Sequence, residues 1–591
     1  MSERPTLGAH VEGTGTRFSC YTEARECAVR LLGSAKNEVA RHVLTPLGDG
    51  YFEACIEGAG PGSLYDFCVD GRCLPDPYAR YLPFGVHGPA IVCAARTPKR
   101  LPRQRPLAGQ VIYELHVGTF TEAGTFASAM QRLPELVELG VTSVELMPIA
   151  AFAGSRGWGY DGVALFAPHA AYGTPDDLAA LVERAHELGL SMLLDVVYNH
   201  FGPSGNYLGA YARSYFREDI HNAWGQAPNF EHPALRALVL GNARYWLTEF
   251  GFDGLRLDAT HAIIDPSPRH LLSELAELAH SLSPARLLIA EDERNQAGLV
   301  SDIGLDALWA DDFHHQLRVL LTRERDGYYA AFEPRLDDLA RTINQGWLYS
   351  GQNNPLSRAP RGTPADALRA EQLVYCVQNH DQVGNRALGD RLASSISPRA
   401  YRSASLLLLF LPMTPLLFMG QEWGAQTPFL YFTDHEAELG KLVSEGRRRE
   451  FAAFEHFKNE AARSEIPDPQ AEATFLRSRL DRTERAGNEA QRTLELYRQA
   501  LAMRREDPVL TNTGRSELAA NVDGQLLVVE RWLGSERRVL LVNFGERDVR
   551  WRELAGRRGF GSPRCLLQSE ARPHDDVVSP EGAVLLAVHG A

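Results

Sequence analysis

Between about residue 110 and residue 420, apolar residues come in short, near-continuous runs separated by longer stretches of helical period. Eight such runs stand out: Val111–Val117, Ser143–Pro148, Ser191–Val197, Gly254–Asp258, Leu287–Glu291, Ala307–Ala310, Leu373–Gln378 and Leu416–Met419. Near-continuous apolar runs predict parallel strands buried on both faces. The helices between them carry their own signals. Thr174 suits a cap, Pro175 the first helical position, and Asp176 and Asp177 the positive end of the dipole. Leu178, Leu181, Val182, Ala185 and Leu188 make the apolar stripe of that helix, and Gly189 ends it. Another helix is expected from Pro233 to a stop at Gly251. Eight strand–helix units predict an α/β fold, a (β/α)8 TIM barrel with insertions. The alternative is a doubly wound open sheet. No G-x-G-x-x-G follows the first strand, which weighs against its nucleotide-binding version.

The flanks read differently. Residues 1–95 hold short strands between Gly, Pro and Asp turns: Arg17–Tyr21, Ala28–Leu32, Tyr51–Ile56 and Leu64–Val69. They predict an N-terminal β-sandwich. Residues 96–109, with Thr97–Pro106 rich in Pro and Arg, read as a linker. Residues 110–505 are assigned to the barrel, its insertions and a charged helical segment from 436 onward. From 506 to 591 strands return at Leu526–Trp532, Val539–Asn543 and Val584–Val588, predicting a C-terminal antiparallel β-domain.

Composition narrows the function. The 591 residues are 44% hydrophobic and 23% charged, ordinary globular usage that excludes disorder as the main state. Asp plus Glu number 75 against 61 Lys plus Arg, a net charge of −14. Nucleic-acid binding calls for a basic excess, so no nucleic acid is expected and a neutral partner such as a sugar fits better. No run approaches the ~18 apolar residues of a membrane span; Leu406–Met419 is broken by Pro412, Thr414 and Pro415. The N-terminus lacks the apolar core of a signal peptide, so the expected compartment is the cytoplasm, with no membrane partner. Six of the eight cysteines precede residue 94, none in a C-x-x-C pair. Buried free thiols are expected, with a disulfide in the N-terminal domain as the alternative.

Barrel enzymes carry their chemistry at the C-terminal ends of the strands. The third run ends in Asp195-Val-Val-Tyr-Asn199-His200, the fourth in Arg256-Leu-Asp258 with His261 just after, the fifth in Glu291, and the seventh in Gln378-Asn-His380-Asp381. Singly, each has a plain reading: an Asp after a strand caps or turns, Arg256 and Asp258 pair structurally, His200 is a core histidine. Their joint occurrence at four strand ends argues otherwise. The set suits glycoside hydrolysis, which takes one carboxylate nucleophile and one carboxylic acid. Asp258 shares a strand face with Arg256, which keeps it ionised, while Glu291 follows the apolar Leu287–Ala290. Histidines can bond sugar hydroxyls, and Trp158-Gly-Tyr160 offers an aromatic face. Asp195, Asn199 and His200 match no defensible calcium or zinc spacing, so no metal and no cofactor is expected.

The segments Asp195–His200, Gly254–Asp258, Ala290-Glu291 and Asn379–Asp381 resemble, in order, the four signature regions of the α-amylase superfamily. The resemblance covers nearly the whole chain, and the N-terminal sandwich with Asp76-Pro77 is similar to that of branching and debranching enzymes. It implies that Asp258 is nucleophile, Glu291 general acid/base and Asp381 a stabiliser of the transition state. It implies further that Tyr160, His200, Arg256 and His380 line subsite −1, with Asp195 in support. Gln378–Leu392, Arg256–Ile263, Glu291–Asn295, Gly420–Gly424 and Pro467–Gln470 resemble the malto-oligosyltrehalose trehalohydrolase family; that family usually has Glu where Gln421 stands. Such enzymes cleave the α-1,4 bond next to a terminal trehalose. The implied partners are malto-oligosyltrehalose, related α-1,4-glucans and a malto-oligosyltrehalose synthase. A branching enzyme, a debranching enzyme and a non-catalytic glucan binder are the competing readings. His261 is a further substrate-binding candidate; choice of trehalose belongs to the leaving-group side, where Trp224, Tyr328 and Arg361 are the candidates, with Glu293 as the fallback. The plain alternative is loop packing for the aromatics and solvent exposure for Arg361.

Overall fold

Each of the eight apolar runs marks one strand of a closed parallel barrel, the eighth starting two residues before its run, at Thr414. The strands are Ile112–Leu115, Ser143–Leu146, Ser191–Val196, Gly254–Leu257, Leu287–Ala290, Ala307–Trp309, Leu373–Cys376 and Thr414–Phe418, and the last pairs with the first. This computed structural model describes residues 6–100, 105–222, 225–570 and 576–589. Each strand ends before its run does because the last residues leave the ladder for the loops above. His116, for instance, opens the helical turn Val117–Phe120. Strand pleating sends alternate residues to opposite sides. Ile112, Leu193, Ile289, Trp309, Val374, Cys376 and Leu416 form one apolar cluster with Leu107, within the barrel. Tyr113, Val144, Met192, Leu194, Leu255, Leu288 and Leu308 join the larger core beneath the helices. The same alternation places Glu114 on the side of Ile112 and Asp195 on that of Leu193.

The helices begin and end where their caps require. Thr174 accepts from the Asp177 backbone N–H at 3.2 Å, Asp177 returns a bond to the Thr174 N–H at 2.8 Å, and helix Pro175–Glu187 follows. Helix Pro233–Tyr245 widens into a π turn over Trp246–Phe250 before Gly251 ends it.

Residues before the barrel form two antiparallel sheets. One orders Gly8–Glu12, Gly15–Tyr21, Tyr51–Glu57 and Thr45–Gly48; the other orders Glu38–Val43, Cys27–Leu32, Leu64–Val69 and Arg72–Leu74. Phe18, Val29, Phe52, Tyr65 and Phe67 pack between them, in one cluster with Ala151, Ala153 and Val163 of the second barrel loop. Cys68 and Cys73 face each other across a hairpin and form a disulfide, so free thiols do not describe that pair; Cys20, Cys27, Cys55, Cys93 and Cys376 are free. Before the barrel, Arg96 binds Asp176 at 2.7 Å and Lys99 binds Glu183 at 3.0 Å, both on barrel helix Pro175–Glu187. After the barrel, a five-stranded antiparallel sheet orders Leu518–Asp523, Leu526–Leu533, Glu536–Asn543, Ala583–His589 and Gly561–Gln568. Buried Arg531 ties it to helix Pro398–Phe410, between the seventh and eighth strands, through the Phe410 carbonyl at 2.6 Å. Among the described residues no helix is long and apolar enough to cross a membrane. The run at Leu406–Met419 divides between helix Pro398–Phe410 and the eighth strand.

Candidate active site

The centre of the C-terminal face is Arg256, a fully buried guanidinium in the fourth strand. Its cross-strand neighbour is Asp195. Nη1 donates to both Asp195 oxygens at 2.9 Å and to Asp258 Oδ1 at 2.8 Å. Nη2 lies 3.1 Å from Glu291 Oε2 and 4.0 Å from Asp381 Oδ2. One cation therefore gathers four carboxyl groups from strands three, four, five and seven. Their exposure differs: the Asp195 side chain is 1% exposed, Asp258 13%, Glu291 20% and Asp381 31%. The last three are the ones a ligand can reach.

A second chain of bonds runs beside the first. His380 bonds Glu114 of the first strand through Nδ1, and its backbone N–H donates to Glu114 at 2.9 Å. His380 Nε2 is 2.7 Å from the Tyr160 hydroxyl, which donates to Asp195 Oδ2 at 2.6 Å. Tyr160 stacks on the His380 ring with centroids 5.2 Å apart. The turn that delivers it needs a glycine: Gly159 has φ of 103°, and a Cβ there would meet the Pro148 carbonyl at 2.0 Å. Trp158, its neighbour, is packing: buried against Phe429, with Nε1 donating to the Leu430 carbonyl at 2.9 Å. His200 bonds the Tyr160 carbonyl at 2.9 Å through Nε2 and bonds Asn199 through Nδ1.

Two of these partners went unassigned from sequence. Asn199 donates to Asp258 Oδ2 at 2.7 Å and to its carbonyl at 2.8 Å. Glu114 had one visible signal, a carboxylate in the middle of an apolar run. Asp195 and Asn199 are engaged with Arg256, Tyr160 and Asp258 rather than turned toward a common centre.

Glu291 and Asp258 differ in their surroundings. Burial, helped by the charges of Asp258 and Asp381 and opposed by Arg256, raises the Glu291 carboxyl to about 8. Its Oε2 accepts the Ala259 N–H at 2.7 Å, which is aimed by a left-handed turn at Ala259 with φ of 38°. A non-glycine residue in that region is a local strain, found most often at functional sites. Burial lowers the basicity of His380, but the Asp381 and Glu114 carboxylates outweigh it and carry it to about 10, so the ring is a cation at neutral pH. Burial also raises Asp195, to about 6, against the pull of Arg256. A carboxyl that keeps its proton, next to a carboxylate bound to a fixed cation, is the pairing that double-displacement glycoside hydrolysis requires.

One buried acid below this site has no such use. Glu145 stands beside Glu114 in register, is fully buried, and neither side-chain oxygen has a hydrogen-bond partner. Burial, then the charges of Glu114 and Asp195, push it well above 4.5. The folded state then holds a proton that the unfolded chain releases above pH 4.5, so stability falls as pH rises toward the folded value. Glu145→Gln removes this loss. Its Tm is expected to match wild type near pH 4 and to exceed it increasingly as pH rises above that, since the wild-type protein loses about 1.4 kcal/mol of stability per pH unit between the unfolded and folded values. A Tm difference independent of pH in a thermal scan would refute the neutral form.

From Glu291 and Asp381 a cleft of about 620 Å³ runs outward, lined also by Glu293, Asp311, His315, Tyr328, Arg361 and Gln382. Tyr328 is 45% exposed, and its hydroxyl donates to Gln382 Oε1 at 2.9 Å. Arg361 is not solvent-exposed as its plain reading had it. Only 17% of its side chain is open; Nη2 lies 2.9 Å from Asp312, Nε donates to the Glu293 carbonyl at 3.0 Å, and the guanidinium covers Tyr349. His261 sits apart from this wall, on the turn Thr260–Ala262, half-buried, with no hydrogen bond to Nδ1. Trp224 lies outside the described residues. A smaller cavity of about 210 Å³ opens beside His200, between Phe201, Asn206, Phe216 and Gln226. Gln421 is remote from the carboxyl cluster, donating to the Tyr497 hydroxyl at 3.0 Å.

This geometry has relatives. The family model described as the alpha-amylase catalytic domain matches residues 113–221. A malto-oligosyltrehalose trehalohydrolase of Deinococcus radiodurans is 50% identical over 583 residues, covering 97% of this chain and 94% of that protein. One from Rhizobium sp. strain M-11 is 39% identical over 570 residues, covering 93% and 94%. A 1,4-alpha-glucan branching enzyme of Burkholderia thailandensis is 29% identical and is covered over 57% of its length, 75% of this chain. A solved Salmonella typhimurium structure, assigned as an alpha amylase, superposes with a TM-score of 0.88 at 34% identity, covering 99% of both chains. The full-length identities, joined to a barrel with these residues at its strand ends, place the chain in the malto-oligosyltrehalose trehalohydrolase family of α-amylase-type glycosidases.

Proposed function

We propose that this chain is a retaining glycoside hydrolase that cleaves the α-1,4-glucosidic bond next to the terminal trehalose of malto-oligosyltrehalose and releases trehalose. The observation that carries the reading is the division of labour on Arg256: Asp258 on Nη1, Glu291 on Nη2. The −1 sugar is placed beside Tyr160, His200 and His380, over the Arg256 cluster, where Asp258, Glu291 and Asp381 are open to it. Glu291 gives its proton to the glycosidic oxygen while Asp258 attacks the anomeric carbon. The C–O bond to trehalose breaks and a glycosyl ester forms on Asp258. Water then gives its proton to Glu291 and its oxygen to the anomeric carbon, and Asp258 leaves as carboxylate. Asp381, 3.3 Å from His380 Nε2, faces the ring on which positive charge develops.

Trehalose leaves along the cleft that holds Tyr328, Arg361 and Glu293, the wall suited to read the terminal disaccharide. The same reading places the enzyme in trehalose biosynthesis in the cytoplasm, after a malto-oligosyltrehalose synthase that supplies its substrate. Maltotriosyltrehalose and maltopentaose, digested side by side, test it. The expected result is free trehalose from the first, faster turnover of the first, and the α-anomer at the new reducing end in early NMR spectra. New α-1,6 linkages from amylose would indicate a branching enzyme, and an initial β-anomer would refute retention.

A further inference from the structure

We infer that Asp311 reads the second ring of the leaving disaccharide and sets the preference for a 1,1-linked terminus over a 1,4-linked one. The inference rests on the hydrolase reading above and adds a specificity residue to it.

Asp311 follows the sixth barrel strand at the head of helix Asp312–Thr322, on the cleft wall with Glu291 and Asp381. It stands at the cap position, yet its side chain bonds none of the helix N–H groups. Its neighbours on this wall are already engaged. Arg361 is held by Asp312 and the Glu293 carbonyl, the Tyr328 hydroxyl by Gln382, and Asn385 donates to Asp381 at 3.0 Å. Asp311 is thus a partly buried acid on this wall whose carboxyl neither the helix nor a neighbouring side chain binds, whereas the Glu293 carboxyl, also unbonded, is exposed. Burial, then the charge of Asp381, raises its carboxyl to about 7 against the pull of Arg361, so a large share carries a proton near neutrality. A carboxyl in that state donates as well as accepts.

The two termini differ where a donor counts. Across the linkage from the first leaving ring, trehalose presents C1, flanked by the ring oxygen, which only accepts. Maltose presents C4 there, flanked by carbons bearing the 3-hydroxyl and the hydroxymethyl group. On the other side both termini carry a ring hydroxyl, so the difference is confined to the ring-oxygen side: a donor aimed there bonds the ring oxygen of the first terminus and meets C5, which has no lone pair, in the second. Discrimination of this kind is large because a missing partner leaves a desolvated polar group unpaired.

The test compares kcat/KM for maltotriosyltrehalose and maltopentaose in wild type, Asp311→Ala and Asp311→Asn. Asp311→Ala is expected to lose about 10–100-fold on the trehalose-capped chain and less than about threefold on maltopentaose. Asp311→Asn, which keeps an N–H donor, is expected to stay within about fivefold of wild type on both. Because the side chain makes no cap bond and its burial raises its carboxyl, the variants should fold, and a Tm no lower than that of wild type checks this. Equal losses on both substrates, an unchanged preference in Asp311→Ala, or an Asn variant as impaired as Ala would overturn the inference. A wild-type enzyme without preference overturns the trehalose-releasing specificity as well; a wild-type preference that Asp311→Ala leaves intact overturns this inference alone.

Discussion

Asp258→Asn is expected to lower kcat/KM on malto-oligosyltrehalose by at least about 10³-fold with little change in fold. An amide oxygen is too weak a nucleophile to form the glycosyl ester. The structural cost is small and can be located. Asp258 accepts from Arg256 on one oxygen and from Asn199 on the other. An amide keeps its oxygen toward Arg256 and turns its N–H₂ on Asn199, losing one hydrogen bond worth about 0.5–1.5 kcal/mol. A slightly lowered Tm with activity gone is therefore the expected signature. Near-normal activity in the folded variant would remove Asp258 from the reaction and with it the hydrolase reading.

The barrel was legible because parallel strands buried on both faces leave apolar runs that no polar face interrupts. The polar residues closing those runs were legible for the same reason: each breaks a pattern at a position where the fold turns outward. What escaped depended on neighbours the chain does not announce. Glu114 and His380 are 266 residues apart and meet because closure of the barrel sets the first strand beside the eighth and near the seventh. Within its own segment Glu114 is only a charge in a strand. Asn199 was visible in its motif, but its bond to Asp258 follows from the pairing of the third and fourth strands. The Cys68–Cys73 bond needs the hairpin register, which spacing alone leaves open. Arg361 reads as exposed because its loop has no period; its burial comes from Asp312 on a different element. Asp311 had no signal at all, since an Asp after a strand is the commonest kind of cap.

Glu291 is expected to govern the alkaline limb of the pH profile and to lose its importance with activated substrates. Its proton is held to about 8 in the free enzyme, and kcat/KM reports the free enzyme's groups. The acid form is complete well below that value and is lost as pH rises through it, so kcat/KM should fall about tenfold per pH unit above pH 8. Glu291→Gln should abolish that limb and lower kcat/KM on malto-oligosyltrehalose by roughly 10³-fold. On an α-maltosyl fluoride the leaving group needs no proton, and kcat/KM covers only the steps through glycosyl-ester formation, so the loss should shrink to within about tenfold. The same electrostatics explain how one carboxyl serves both halves of the reaction. The Asp258 charge is among the causes that raise Glu291, and in the glycosyl ester that charge is gone. The Glu291 value then drops, and the residue that entered as an acid stands as the base that takes the proton of water. A variant equally damaged on natural and activated substrates would show that Glu291 does not deliver the proton, and the role of acid would have to pass to another carboxyl on the Arg256 cluster.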